Sequence, residues 1–253
     1  MARVIIDDYG FEIFAEGLLI RQAQKIFLLV HGFGTDLHER GLFDEISKVL
    51  QNSGDAAVIR FNFPKLEVEN GVRREKSLEG MADDLRLVLD YAAGEKGEDV
   101  PLTIIGFSMG NYVIAKCFSA TMLIRPDKII LINPPRIDFK KELQNYFQNK
   151  PGAKTDDKGI WALPREDGSM TYVGPEFWDS IEKEEQLQEF KNLINNFPSY
   201  LIKAMDDTTA GEMDEEMRNM PFKEIVNLKG DHNFSNPEDQ ANFIESLMVL
   251  LKK

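Results

Sequence analysis

The sequence is poor in the residues that staple small secreted domains or ligate metals. Its 253 residues include one cysteine, Cys117, and three histidines. A single cysteine cannot form an internal disulfide, so no covalent frame is available and a reducing compartment, the cytoplasm, is expected. CxxC and HExxH motifs and spaced His/Asp sets are missing, as are GxGxxG and GxxxxGK[ST] loops, so neither a metal nor a nucleotide cofactor is expected. Apolar runs such as 26–30 (IFLLV) are far too short to span a bilayer. Residues 1–8 lack the basic-then-apolar layout of a secretion signal. Basic residues are outnumbered, 30 to 43, for a net charge of −13. Such a surface repels nucleic-acid phosphates and anionic membranes, so binding to either is not expected. The expected partner is a small molecule, and the expected state a monomer or homodimer.

What is present is a core and a rhythm. The apolar share of 43% is ample for a packed interior. Residues 4–6 and 11–20 read as an N-terminal hairpin about Gly10. Short apolar runs then alternate with helical patterns. Strands are expected at 26–30, 56–63, 102–105 and 128–132. Helices are expected after residue 34, at 78–91 and at 109–118. That alternation specifies a mostly parallel central sheet with right-handed crossovers and helices on both faces.

The rhythm breaks after the sixth strand. Residues 135–198 hold no strand–helix–strand unit, and read as an insertion or cap on a core formed by 1–134 and 199–253. Within it, 160–163 and 170–173 suit a hairpin about Glu166-Asp167-Gly168-Ser169, followed by an acidic helix over 175–195. Trp161, Tyr172, Phe177 and Trp178 either line an acyl pocket or form the insertion's own core; Trp161 and Trp178 are the candidate substrate contacts. The sheet resumes at 200–202 and 224–228. A last helix follows, with Asn236 as its N-cap and Pro237 at its first position.

The chemistry is concentrated in Gly106-Phe107-Ser108-Met109-Gly110. About one chain in ten of this length carries GxSxG by chance, so its setting matters more than its letters. Here it lies where a short apolar strand meets a helix, a sharp turn that lifts a serine hydroxyl clear of the sheet. The turn also puts the Met109 N–H where it can donate to a developing oxyanion. A serine hydroxyl needs a base. His232, in the loop Gly230-Asp231-His232-Asn233-Phe234 after the final strand, is placed to serve. His31 reads as a turn residue after the third strand, and His38 as a surface residue in a polar stretch. The orienting acid should fall between Ser108 and His232, after a strand. Ala204-Met205-Asp206-Asp207-Thr208 supplies two neighbours, Asp207 and Asp206, of which the spacing from Ala204 favours Asp207. The second oxyanion donor is expected to be the Phe33 amide, flanked by Gly32 and Gly34.

The order Ser, Asp, His is that of α/β-hydrolases. The stretch 31–63 (HGFGTDLHERGLFDEISKVLQNSGDAAVIRFNF), with GFSMGN, AMDDTT and KGDHNFS, resembles bacterial cinnamoyl/feruloyl esterases and short-chain carboxylesterases. The resemblance covers most of the sheet core. It implies an α/β-hydrolase fold, hydrolysis of a small-molecule ester without a cofactor, and a cap over the acyl or aryl pocket. It also places the nucleophile, acid and base on Ser108, Asp207 and His232, and the oxyanion donors on Phe33 and Met109. The chain departs from that pattern after the fourth strand, where Pro64-Lys65-Leu66-Glu67-Val68-Glu69 replaces a Gly-His-Gly-like turn and a rearranged loop is expected. A serine peptidase, thioesterase or acyltransferase could carry the same residues and would differ by substrate. A non-catalytic binding protein of this fold would fail to react with a fluorophosphonate.

Overall fold

The computed structural model describes residues 2–5, 11–67, 73–119, 124–137, 140–165, 168–181 and 183–253. Along the chain, β1 (Ala2–Ile5) and β2 (Glu12–Gly17) form the expected N-terminal hairpin. Gly10, its expected turn residue, lies outside the described residues. The alternating part follows: β3 (Lys25–Val30), α1 (Leu42–Gln51) and β4 (Ala56–Phe61). Two short strands come next, β5 (Leu66–Glu67) and β6 (Arg73–Glu75), then α2 (Leu78–Glu95). After these come β7 (Leu102–Phe107), α3 (Gly110–Cys117) and β8 (Lys128–Ile132).

Eight strands make the central sheet, in the order β1-β2-β4-β3-β7-β8, completed by β12 (Ser199–Ala204) and β13 (Glu224–Leu228). The β1/β2 and β2/β4 pairs are antiparallel, and every other neighbour is parallel. The α/β-hydrolase architecture read from the sequence is the one observed.

The solid apolar run of β3 is explained by its position. Ile26, Leu28 and Val30 face one core with Leu85, Val88 and Val113 from α2 and α3. Phe27 and Leu29 face the opposite core with Phe43 and Ile46 from α1. That second core is closed by Phe243 and Leu247 of α8 (Pro237–Lys252). A strand buried on both faces has no polar side to alternate with. Asn236 caps α8 as expected, its side chain accepting the Glu238 N–H.

The stretch between β8 and β12 contains α4 (Lys140–Gln148), β9 (Lys154–Thr155), β10 (Trp161–Pro164) and β11 (Met170–Val173). Strands β10 and β11 pair antiparallel, Trp161 opposite Val173, as the hairpin pattern suggested. Two residues of its expected turn, Glu166 and Asp167, lie outside the described residues. The hairpin is the middle of a second sheet, β5-β6-β11-β10-β9. The loop that departs from the esterase pattern therefore supplies β5, and the stretch after it supplies β6, to the sheet of the insertion.

One expectation needs correction. The single acidic helix is two, α5 (Pro175–Asp179) and α6 (Lys183–Asn196). Ser180 interrupts them: its hydroxyl donates to the Phe177 carbonyl at 2.7 Å and accepts the Leu78 N–H at 3.0 Å. The Ile181 N–H turns instead to the Trp178 carbonyl. A hydroxyl that takes a helix carbonyl competes with the backbone ladder and ends it. The remaining helix, α7 (Glu215–Arg218), is a single turn between β12 and β13. No helix among the described residues is long and apolar enough to cross a membrane.

Candidate active site

Ser108 stands on the turn between β7 and α3 with φ of 50°, a left-handed conformation that costs a non-glycine residue energy. Its neighbours make that turn possible. A Cβ on Gly110 would stand 2.4 Å from the Val30 carbonyl oxygen, and one on Gly106 would stand 2.5 Å from Asn111 Oδ1 and Ile114 Cδ1. Only glycine lets the chain pass this close to β3 and to α3. The turn is fixed from below by the Ser108 N–H, which donates to the Ile132 carbonyl at 2.9 Å. Asn111, fully buried, donates to both the Ser108 and Ile132 carbonyls, at 2.8 and 2.9 Å.

Opposite Ser108 the loop after β13 brings in His232. Its Nε2 lies 3.0 Å from Ser108 Oγ, and its Nδ1 lies 2.9 Å from Asp207 Oδ2. A carboxylate beside Nδ1 assigns the imidazole proton to that nitrogen and leaves Nε2 to accept from the serine hydroxyl. The Phe107 ring packs 5.0 Å from the imidazole.

Of the two adjacent aspartates, Asp207 faces His232 and Asp206 does not. Asp206 latches the two loops together, its N–H donating to the Gly230 carbonyl and its carboxylate accepting the Gly230 N–H. Asp207 is saturated: the Thr209 and Ala210 amides donate to Oδ1, and the Lys203 ammonium donates to Oδ2 at 2.8 Å. Burial pushes its carboxyl up, but the bonds and charges of His232 and Lys203 prevail and hold it down at about 2.

Two residues that tie this arrangement together carried no sequence signal. Asn133, fully buried just after β8 at φ of 46°, accepts the Ala204 N–H and donates to the His232 carbonyl, both at 2.7 Å. One side chain thus joins the strand that leads to Asp207 to the loop that carries His232. Lys203 is the other, a lysine buried one turn of chain before Asp207. Both are polar residues on or just beyond apolar strands, and their partners are distant or lie in a loop.

The turn after β3 forms the other wall. His31 is buried, its Nδ1–H donating to the Gly32 carbonyl at 2.8 Å while its Nε2 accepts the Phe63 N–H at 3.3 Å. Burial lowers its pKa to about 4, so it is neutral near pH 7. It is the turn residue expected, and His38 is exposed beside Asp44 as expected. Among the described residues, neither the Phe33 nor the Met109 N–H has a protein acceptor. The Phe33 ring packs at 5.6 Å on Phe147 and 5.1 Å on Phe177, with the Arg165 guanidinium 5.2 Å from its centroid.

Ser108, Met109, His232 and Phe33 open onto a cleft of about 1610 Å³, whose far wall includes Leu143, Tyr146 and Arg165 from the insertion. Trp161 and Trp178 are not on that wall. Their rings pack on each other at 4.9 Å, Trp178 is 4% exposed, and Phe177 stands between Trp178 and Phe33. In this structure they pack into the core that the insertion shares with the α2 and α3 face of the central sheet. Arg165 does line the cleft, and a single arginine beside a turn carries no sequence pattern that would mark it.

No curated protein matches the chain. Solved structures resemble it in fold at low identity. The esterase domain of a Rhodothermus marinus protein is 19% identical, with a TM-score of 0.62, over 95% of this chain and 92% of that one. Est1E from Butyrivibrio proteoclasticus with ferulic acid bound is 17% identical, with a TM-score of 0.65, over the full length of both. An esterase of Pyrococcus furiosus is 15% identical, with a TM-score of 0.64, over 99% of this chain and 90% of that one. The family model for alpha/beta hydrolases of unknown function (DUF900) matches residues 11–159, more than half of the chain. This chain is therefore a member of that alpha/beta hydrolase family.

Proposed function

We propose that the protein is a serine hydrolase that cleaves a carboxylic ester, with Ser108 as nucleophile, His232 as general base and acid, and Asp207 as the orienting acid. The observation that carries the reading is the unbroken relay from Ser108 Oγ to His232 Nε2, 3.0 Å, and from His232 Nδ1 to Asp207 Oδ2, 2.9 Å. A serine, a correctly tautomerised imidazole and a buried carboxylate in series are what turns a hydroxyl into a nucleophile near neutral pH.

In the first half-reaction Ser108 Oγ attacks the ester carbonyl carbon as its proton passes to His232 Nε2. The charge gathering on the carbonyl oxygen is met by the Phe33 and Met109 N–H groups. The tetrahedral adduct collapses, the carbon–oxygen bond to the alcohol breaks, and His232 returns the proton to that oxygen. A water then gives its proton to His232 and attacks the acyl-serine, releasing the acid and restoring Ser108. Asp207 stays ionised throughout, held low by its donors, and steadies the imidazolium. Residues 135–198 act as a cap that shapes the acyl side of the cleft, through Leu143, Tyr146 and Arg165.

The test is hydrolysis of p-nitrophenyl acetate, extended to esters of varied acyl and alcohol groups. Ser108→Ala should lower kcat/KM by roughly three orders of magnitude or more while the thermal unfolding curve stays in place. Equal turnover in the variant would overturn the assignment.

A further inference from the structure

Gly32 and Phe33 share a peptide unit, and Gly32 is gripped through both its carbonyl and its amide. The Gly32 carbonyl accepts the His31 Nδ1–H at 2.8 Å. The carbonyl and amide of a trans peptide point in opposite directions, so this bond turns the Phe33 N–H the other way. On the preceding amide, Gly32 N–H donates to Glu39 Oε2 at 2.6 Å. Glu39 is a carboxyl residue only 3% exposed, and it lies on the wall of the cleft. The point where a Cβ on Gly32 would stand is 3.0 Å from Ser108 Cβ and 3.4 Å from Glu39 Oε2. Glu39 and the nucleophile thus bracket the same glycine.

The backbone is bent to place this side chain. Glu39 and Arg40 have φ of 43° and 56°, and Gly41 follows at 92°. Left-handed conformations at two consecutive non-glycine residues are held only where the surroundings demand them. The demand here is not a salt bridge: among the described residues no ammonium or guanidinium contacts the Glu39 carboxyl. Its neighbours are the Gly32 amide, the Thr35 hydroxyl, and the charges of Arg40 and Asp36.

We propose that Glu39 is a positioning residue for the reaction assigned above: by accepting the Gly32 N–H it fixes the turn that aims the Phe33 amide at the oxyanion. It touches no reacting atom. Burial pushes its carboxyl up to about 8, against the opposing pull of the Gly32 amide and Arg40, so near pH 7 it is mostly neutral. A neutral carbonyl oxygen suits this task, because it holds the amide without putting a full negative charge behind a developing oxyanion.

The inference rests on the triad reading, and the experiment separates the two. Wild type, Ser108→Ala, Glu39→Gln and Glu39→Leu are assayed on p-nitrophenyl acetate, and their inhibition constants for a trifluoromethyl ketone are measured. Loss of one preorganised oxyanion donor costs about 10²–10³ in kcat, and a donor that is misaimed rather than absent should cost less. Glu39→Leu should lower kcat by roughly 30- to 100-fold with KM changed less than about threefold, and weaken the ketone in parallel. Glu39→Gln, which keeps a neutral acceptor in place, should stay within about threefold of wild type. A purely structural glutamate would lower thermal stability in Glu39→Leu without separating ketone affinity from KM. If wild type hydrolyses the ester and Ser108→Ala does not, yet folded Glu39→Leu keeps wild-type kcat, the positioning role is overturned alone. The same holds if Glu39→Gln falls as far as Glu39→Leu. If Ser108→Ala is as active as wild type, the triad reading fails first.

Discussion

The two sheets of this molecule are built to different standards. In the central sheet β4, β7 and β12 have no residue outside the core, whereas β5 and β9 of the smaller sheet are two residues long and exposed throughout. The central sheet carries Ser108, Asp207 and His232 on the loops at the ends of β7, β12 and β13, and Asn133 just beyond β8 ties two of those loops. The smaller sheet and its helices supply the opposite wall of the cleft. Two of the strands that lead to Ser108, Asp207 and His232, β7 and β12, are packed from both sides, while β13 is the partly exposed edge of the sheet and its loop is held by Asn133. The wall that includes Leu143, Tyr146 and Arg165 is placed where few contacts resist change. The comparison predicts steep losses on one side of the cleft and shallow ones on the other.

The steepest after Ser108 concerns the acid. Asp207→Asn replaces an acceptor at His232 Nδ1 with an amide that can favour the wrong tautomer, and should cut kcat on p-nitrophenyl acetate by roughly 10³–10⁴-fold. Asp206→Asn keeps an oxygen for the Gly230 N–H and should stay within about threefold. The reverse ranking would move the acid to Asp206. The same group sets an acid limit. Its pKa in the fold, about 2, lies below the ordinary 3.8. Its contribution to stability is therefore complete above that ordinary value and is lost as pH falls through about 2. Acid unfolding of Asp207→Asn should lack this component.

A smaller effect is expected at Asn133. Asn133→Ala strands the Ala204 N–H and the His232 carbonyl without partners, at roughly 2–4 kcal/mol of stability. It should also lower kcat by about tenfold as the His232 loop loosens. Urea unfolding and ester assays on one preparation read both. An unaltered kcat with the full stability loss would show that the His232 loop does not need this tie.

What could be read before the structure follows from how local the cause is. The strands of the central sheet were legible because burial on both faces writes a continuous apolar run, and α8 because Asn236 and Pro237 announce its start. Ser108 was legible because its turn needs glycines two residues to either side. Asp206 and Asp207 stayed ambiguous because both follow the same strand and differ only in which way the loop turns. Strands β5 and β6 were invisible: Arg73–Glu75 is a charged triplet whose strand state comes from pairing with β5 and with β11, the latter almost a hundred residues further along. Glu39 sits in a polar stretch that reads as surface, and only the fold buries it. Aromatic content placed Trp161 and Trp178 in the insertion but could not tell a pocket from a core.

The insertion offers the smallest predicted effect, and it is the one that would most alter the comparison. Trp161 is half-buried, and two rings, Trp178 and Phe177, separate it from Phe33. Trp161→Ala removes a stacking partner from that file without exposing the cleft. It should cost roughly 1–3 kcal/mol, below the 3–5 typical of a fully buried tryptophan. The kcat and KM for p-nitrophenyl acetate should each move less than about twofold, since the rings nearer Phe33 remain packed on its face. Bulkier aryl esters sharpen the reading. A KM that rises tenfold for an aryl acyl group but not for acetate would bring Trp161 to the substrate, and the insertion's core would then be part of its pocket.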